Sequence, residues 1–238
     1  QKLVGYYKKA GFSVTEDEII VTAGGSEAIQ FGFMACLDPY DEVIIPEPLY
    51  ANYEGFAVEV GVNVVPITSQ LDKGFALPPI EDFEKHITPK TKAILICNPN
   101  NPTGYLYSKE EMESLKKLVV KHNLYLFSDE AYREFCYEGE HFSAMHLTGA
   151  DDNIILIDTV SKKYSACGAR IGTLVTKNKA LLSTIMKFAQ ARLSPPGLAQ
   201  IMGEAAVDLP ASYFDAPKAE YLRRRNLMVE RLNAMAGV

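Results

Sequence analysis

Short apolar runs and helix-spaced apolar positions alternate along this chain from end to end. Runs at Ile19 to Thr22, Val43 to Ile45, Val62 to Ile67, Ala93 to Cys97, Tyr125 to Ser128, Ile154 to Ile157 and Gly172 to Thr176 have the length of buried strands. Between most of them the spacing is helical. An amphipathic opening segment stops at Gly11, and Ala28, Ile29, Phe33, Met34 and Leu37 share one helix face. A third helix ends near Gly61, a short one covers Ile80 to Ile87, and Ser108-Lys109-Glu110-Glu111 is a capping box opening a helix that closes at His122. After the last strand, helices are expected from Lys179 to Arg192, from a Ser194-Pro195-Pro196-Gly197 break to Val207, and near Tyr221 to Met235. Strands separated by helices predict an α/β chain: three α/β/α layers around a mostly parallel seven-stranded sheet.

The strand ends carry the unusual residues. Ala23-Gly24-Gly25-Ser26 joins a strand to a helix N-terminus, where free N–H groups and the helix dipole favour an anion, although a plain βα turn uses the same glycines. No nucleotide-binding glycine signature is present. Tyr50 follows a strand in a loop stiffened by Pro46 and Pro48, placed either to cover a flat ring or to pack on the next helix. Asn98-Pro99-Asn100-Asn101-Pro102-Thr103-Gly104 is a rigid irregular loop with amides available as donors, at the strand edge where open α/β sheets bind ligands. Asp129 ends an apolar strand and needs a cation or several donors, unless it only caps the next segment. The stretch from Asp158 to Gly172 sets Thr159, Ser161, Lys162, Lys163 and Arg170 just past a buried strand. A lysine there suits an amine that attacks a carbonyl beside an anionic group, and a solvated Ser-Lys-Lys turn is the plainer alternative.

Composition narrows the classes. The 238 residues are 47% hydrophobic and 23% charged, ordinary for a folded α/β domain, with no run able to span a membrane. A net charge of -6 argues against nucleic-acid or anionic-membrane partners, so an anionic ligand must be held locally. The four cysteines are scattered, which fits a reducing compartment, the cytoplasm by default, and argues against structural zinc. His141 and His146 read as surface residues of a loop, and no metal site is expected. The first residue is Gln1 and helix-like text begins at once, so a fragment of a longer protein is expected.

Taken together, Gly24-Gly25-Ser26, Asn98 to Gly104, Asp129 to Tyr132, and Ser161-Lys162 with Arg170 resemble the aminotransferase family of the aspartate aminotransferase type, which depends on pyridoxal phosphate and has the fold called type I. The resemblance implies that Lys162 forms the Schiff base with the cofactor aldehyde, since the family's lysine precedes its phosphate-binding arginine by eight residues, and Lys163 is the rival. It implies that Arg170, Thr159 and the backbone of Gly25 and Ser26 bind the phosphate, that Asp129 pairs with the ring nitrogen, that Tyr50 stacks on the ring, and that Asn101 and Tyr132 bond its phenolic oxygen. Lys163 is expected to add positive field. Residues 1 to 210 would be the cofactor-binding large domain and 211 to 238 the start of an interdomain helix. The arginine gripping the substrate carboxylate and a tyrosine reaching across a homodimer would lie outside this chain. The implied activity is transfer of an amino group from an amino acid to a 2-oxo acid. A lyase of the same fold, or a non-catalytic binding module, are the alternatives.

Overall fold

The computed structural model describes residues 1–237. Its seven strands are β1 (Ile19–Thr22), β2 (Glu42–Glu47), β3 (Asn63–Thr68), β4 (Thr91–Cys97), β5 (Tyr125–Asp129), β6 (Ile154–Thr159) and β7 (Gly172–Val175), in the single-sheet order β1-β7-β6-β5-β4-β2-β3. Only β7 runs against the rest, pairing antiparallel with both β1 and β6. The expected mostly parallel sheet is what forms. The helices are α1 (Lys2–Lys9), α2 (Gly25–Cys36), α3 (Asn52–Val60), α4 (Ile80–His86), α5 (Lys109–His122), α6 (Val160–Lys163), α7 (Lys179–Arg192), α8 (Gly197–Val207) and α9 (Ser212–Asn233).

Two differences from the sequence expectation have local causes. Pro46 belongs to β2 and not to the following loop. β2 pairs with β4 only from Glu42 to Ile44, so the N–H that proline lacks falls where that ladder has ended. The second difference is α6, a single helical turn directly after β6 that apolar periodicity cannot announce.

Side chains alternate across the sheet, and this parity decides the chemistry. On β6, Ile154 and Leu156 join the core beneath α1 and α5, while Ile155 and Ile157 join the core beneath α2, α3 and α7. On β5, Leu126 faces the first layer and Phe127 the second. Continuing the count sends Asp158 toward α1 and Thr159 toward α2, and it sends Asp129 toward α3.

Packing between α2 and the sheet is close. A Cβ on Gly32 would lie 2.4 Å from the ring of Phe127, which is fully buried and edge-on to Phe33 at 5.3 Å. Gly32→Ala is therefore expected to destabilise the protein by about 1–2 kcal/mol, because overpacking outweighs the roughly 1 kcal/mol gained in helix propensity. A urea midpoint that stays or rises would show that Phe127 turns aside freely. Among the described residues no helix is long and apolar enough to cross a membrane.

Candidate active site

The carboxyl ends of β4, β5 and β6 open onto one cavity of about 140 Å³ lined by Gly25, Ser26, Tyr50, Tyr53, Asn101, Asp129, Tyr132, Thr159, Ser161, Lys162 and Arg170, with Cys97 and Cys167 among its other walls. All nine residues singled out from the sequence as cofactor ligands share it.

One end is built for an anion. Gly24, at φ 92°, is the N-cap of α2 and supplies no side-chain cap, so the first N–H groups of that helix are left to a ligand. Arg170 lies across this turn, its guanidinium donating to the carbonyl of Ala23 at 3.1 Å and to that of Cys167 at 3.0 Å. The positive φ of Gly24 explains glycine there, and a Cβ would in addition crowd the Arg170 guanidinium. Glu27, on the first turn of α2, accepts from the Ala23 N–H at 2.7 Å and lies 3.1 Å from the guanidinium of Arg192, so the end of α7 steadies the same loop. Thr159 closes this side: its hydroxyl donates to the carbonyl of Ile171 at 3.0 Å and accepts from the Ser161 N–H at 3.2 Å.

The floor is a buried carboxylate. Asp129 accepts from the Tyr53 hydroxyl at 2.8 Å and from the Ala131 N–H at 3.1 Å, and among the described residues no cation pairs with it. Burial raises its carboxyl to about 6, against the lowering effect of those two donors. The capping reading of Asp129 is thus half right: one oxygen closes a turn and the other is held by Tyr53. Sequence reasoning missed Tyr53, which lies in the first turn of α3 where no local pattern singles it out. Tyr50 stands edge-on to Tyr53 at 5.4 Å, and the Asn52 amide donates to its hydroxyl at 2.7 Å.

The two lysines part company. Lys162 is exposed, with its Nζ 5.8 Å from the centre of the Tyr132 ring. Lys163 is only 5% exposed and points to the opposite layer, where its Nζ bonds Asp158 at 2.7 Å and the Tyr6 hydroxyl at 2.6 Å. The expectation that Lys163 lends positive field to the site is therefore corrected, because Asp158 neutralises it.

Two further readings change. The asparagine-rich loop spends most of its amides on itself and its neighbours: Asn98 donates to the Phe142 carbonyl at 3.2 Å and Asn100 to the Pro48 carbonyl at 3.2 Å, leaving Asn101 at the cavity wall. The histidines are not surface residues. His141 sits against the Asn98 carbonyl at 3.2 Å, and burial pushes its pKa down. His146 packs among the rings of Phe12 and Phe142, at 5.6 and 5.1 Å. What draws their loop inward is Glu130, fully buried, which accepts from Ser143 and the Ala144 N–H at 2.9 Å each and pairs with Arg133 at 2.5 Å.

Comparison with known proteins identifies the family. The description "Aminotransferase class I and II" matches residues 1–238. The chain is 36% identical over 233 residues to an aspartate/prephenate aminotransferase of Thermus thermophilus, covering 97% of this chain and 60% of that protein. It is 32% identical over 232 residues to an arginine–pyruvate transaminase of Pseudomonas aeruginosa, covering 97% and 58%. Among solved structures, Thermus thermophilus aspartate aminotransferase with maleate superposes with a TM-score of 0.91 at 35% identity over 98% of this chain and 61% of that one. Alanine aminotransferase from Pyrococcus furiosus gives 0.93 at 35% identity over 99% and 61%. The chain spans about 60% of the length of the relatives it matches. From its fold, its strand-end cavity and these relatives, the chain belongs to the class I and II aminotransferase family.

Proposed function

We propose that this chain is the cofactor-binding domain of a pyridoxal 5'-phosphate-dependent aminotransferase that moves an amino group from an amino acid to a 2-oxo acid. One observation carries the reading: a lysine, a buried carboxylate with no cation partner among the described residues, and an arginine beside an uncapped helix N-terminus line one cavity. That donor set fits an aldehyde, a protonated ring nitrogen and a phosphate. When bound, the cofactor supplies the aldehyde that receives the amino group and a ring that withdraws electrons from the reacting carbon.

In this reading, Lys162 is the amine that meets the aldehyde and then, set free by the substrate, carries the proton away from the substrate Cα. Asp129 keeps a proton on the ring nitrogen and gains there the counter-charge it lacks. Arg170, Thr159 and the N–H groups of Gly25 and Ser26 hold the phosphate, Tyr50 covers the ring, and Asn101 and Tyr132 bond its phenolic oxygen. Residues 1 to 210 act as the large domain, and α9, with no buried residue, leads toward a further domain. Function as a homodimer in the cytoplasm completes the proposal.

The deciding assay follows a single turnover with a panel of amino acids. Release of the matching 2-oxo acid supports the proposal, while ammonia release without a retained amino group supports a lyase. Arg170→Ala is expected to weaken pyridoxal 5'-phosphate binding by about 10- to 100-fold, the worth of charge-assisted hydrogen bonds, and to leave binding of dephosphorylated pyridoxal unchanged. Equal losses for both ligands would remove Arg170 from the phosphate site.

A further inference from the structure

Lys163 and Asp158 bracket the segment that carries Thr159, Ser161 and Lys162, and they do so from the far side of the sheet. Asp158 directly precedes Thr159, and Lys163 directly follows Lys162. Both are buried, 3% and 5% exposed, and their side chains meet at 2.7 Å. The second Asp158 oxygen accepts from the Thr159 N–H at 2.7 Å, so the carboxylate grips both ends of the turn. Tyr6 of α1 adds its hydroxyl at 2.6 Å to the Lys163 Nζ, which stands 4.2 Å from the centre of the Tyr6 ring. That hydroxyl in turn donates to Glu134 at 2.8 Å, and Tyr7 bonds Thr173 at 2.6 Å beside Asp158.

The turn needs such an anchor. α6 has four residues, far too few to hold a helical conformation by its own hydrogen bonds. Lys162 is exposed and long, so the direction of its stem depends on where the backbone puts its Cα. Apart from the pair of Asp158 and Lys163 the turn is held by neutral bonds: the Thr159 and Ser161 hydroxyls, 2.9 Å apart, and the Thr159 hydroxyl and Val160 N–H, which donate to the Ile171 carbonyl at 3.0 and 3.1 Å. Among the described residues its one ionic contact is the pair on the opposite face.

We infer that Lys163, through its buried pair with Asp158 and its bond to Tyr6, is a positioning residue that aims Lys162 at the cofactor aldehyde. The inference rests on the proposed role of Lys162 as the amine that meets that aldehyde. Adjacent lysines thus divide the work: one faces the cavity, and the other fixes the turn that presents it.

Removing Lys163 alone strands a buried carboxylate, so the test removes both charges together. In the purified protein, Asp158→Asn with Lys163→Met is compared with the unaltered sequence for binding of pyridoxal 5'-phosphate, which Lys162 captures covalently, and of pyridoxamine 5'-phosphate, which has no aldehyde. The double variant is expected to bind the aldehyde form about tenfold more weakly, as a misplaced amine demands, and the amine form within about twofold of normal. Tyr6→Phe, a milder change that keeps the ring, should shift the aldehyde form alone by about two- to threefold. Parallel loss of both ligands would mean a merely structural role, and no change in either would mean none; both overturn the inference. If the unaltered protein shows no borohydride-reducible adduct at all, the assignment of Lys162 has failed first.

Discussion

Replacing Lys162 with alanine is expected to cut amino-group transfer by about four orders of magnitude, the upper range for a positioned proton carrier, while leaving the fold intact. The side chain is exposed and enters no salt bridge among the described residues, so little stability goes with it. Arg170 and the uncapped α2 N-terminus, the proposed phosphate site, stay in place, so the cofactor is expected to bind still, now without a covalent link. Borohydride treatment with subsequent peptide mass analysis reads this directly: label on the peptide containing residue 162 before the change, none after. Label that persists would have to sit on Lys163, which must then leave Asp158 and Tyr6 and cross the turn.

Asp129→Asn should act with opposite signs on the empty and the loaded protein. Burial raises the Asp129 carboxyl to about 6, from an ordinary value near 4. The folded state therefore binds more protons than the unfolded state between those two values, and stability falls as pH rises through that window. Above pH 6 the cost is fully present, at most about 3 kcal/mol for two pH units. Asparagine escapes it but keeps only one acceptor oxygen for Tyr53 and Ala131, so the cofactor-free variant should gain about 1–2 kcal/mol at pH 7.5 and lose the pH 4 to 6 slope. The loaded variant should be slower by about 10²- to 10³-fold in proton removal from the substrate, because a neutral amide cannot hold a proton on the ring nitrogen as a carboxylate does. Denaturant titrations at pH 4 and pH 7.5, with and without cofactor, measure one half, and single-turnover kinetics measure the other. A cofactor-free variant that is less stable at pH 7.5 would mean that the Tyr53 and Ala131 bonds outweigh the buried charge.

Much of the site could be read before any fold was known, because its members are strand-end residues of unusual type. A glycine pair between a strand and a helix, seven turn-forming residues after an apolar run, an aspartate closing another, and a hydroxyl-lysine-arginine series after a third all break the apolar pattern at the same edge of a parallel sheet. Where the reading failed, the deciding partner lay far along the chain. Tyr53 reaches Asp129 across 76 positions, and Tyr6 reaches Lys163 across 157. The histidine loop turns inward because Glu130, next to Asp129 but on the other face, collects Ser143, the Ala144 N–H and Arg133.

The sequence by itself determined the order of strands and helices and the turn chemistry at each strand end, since these depend on local dihedral preference and on a period of two or 3.6. Only the tertiary structure decided where Lys163 goes, buried against Asp158 and Tyr6, and that the Asp129 carboxylate lies buried with two donors and, among the described residues, no cation. The reason is physical: burying a charge is costly unless a partner arrives, and the partners of Lys163, Asp129 and Glu130 are brought by packing of distant elements, which no local pattern encodes.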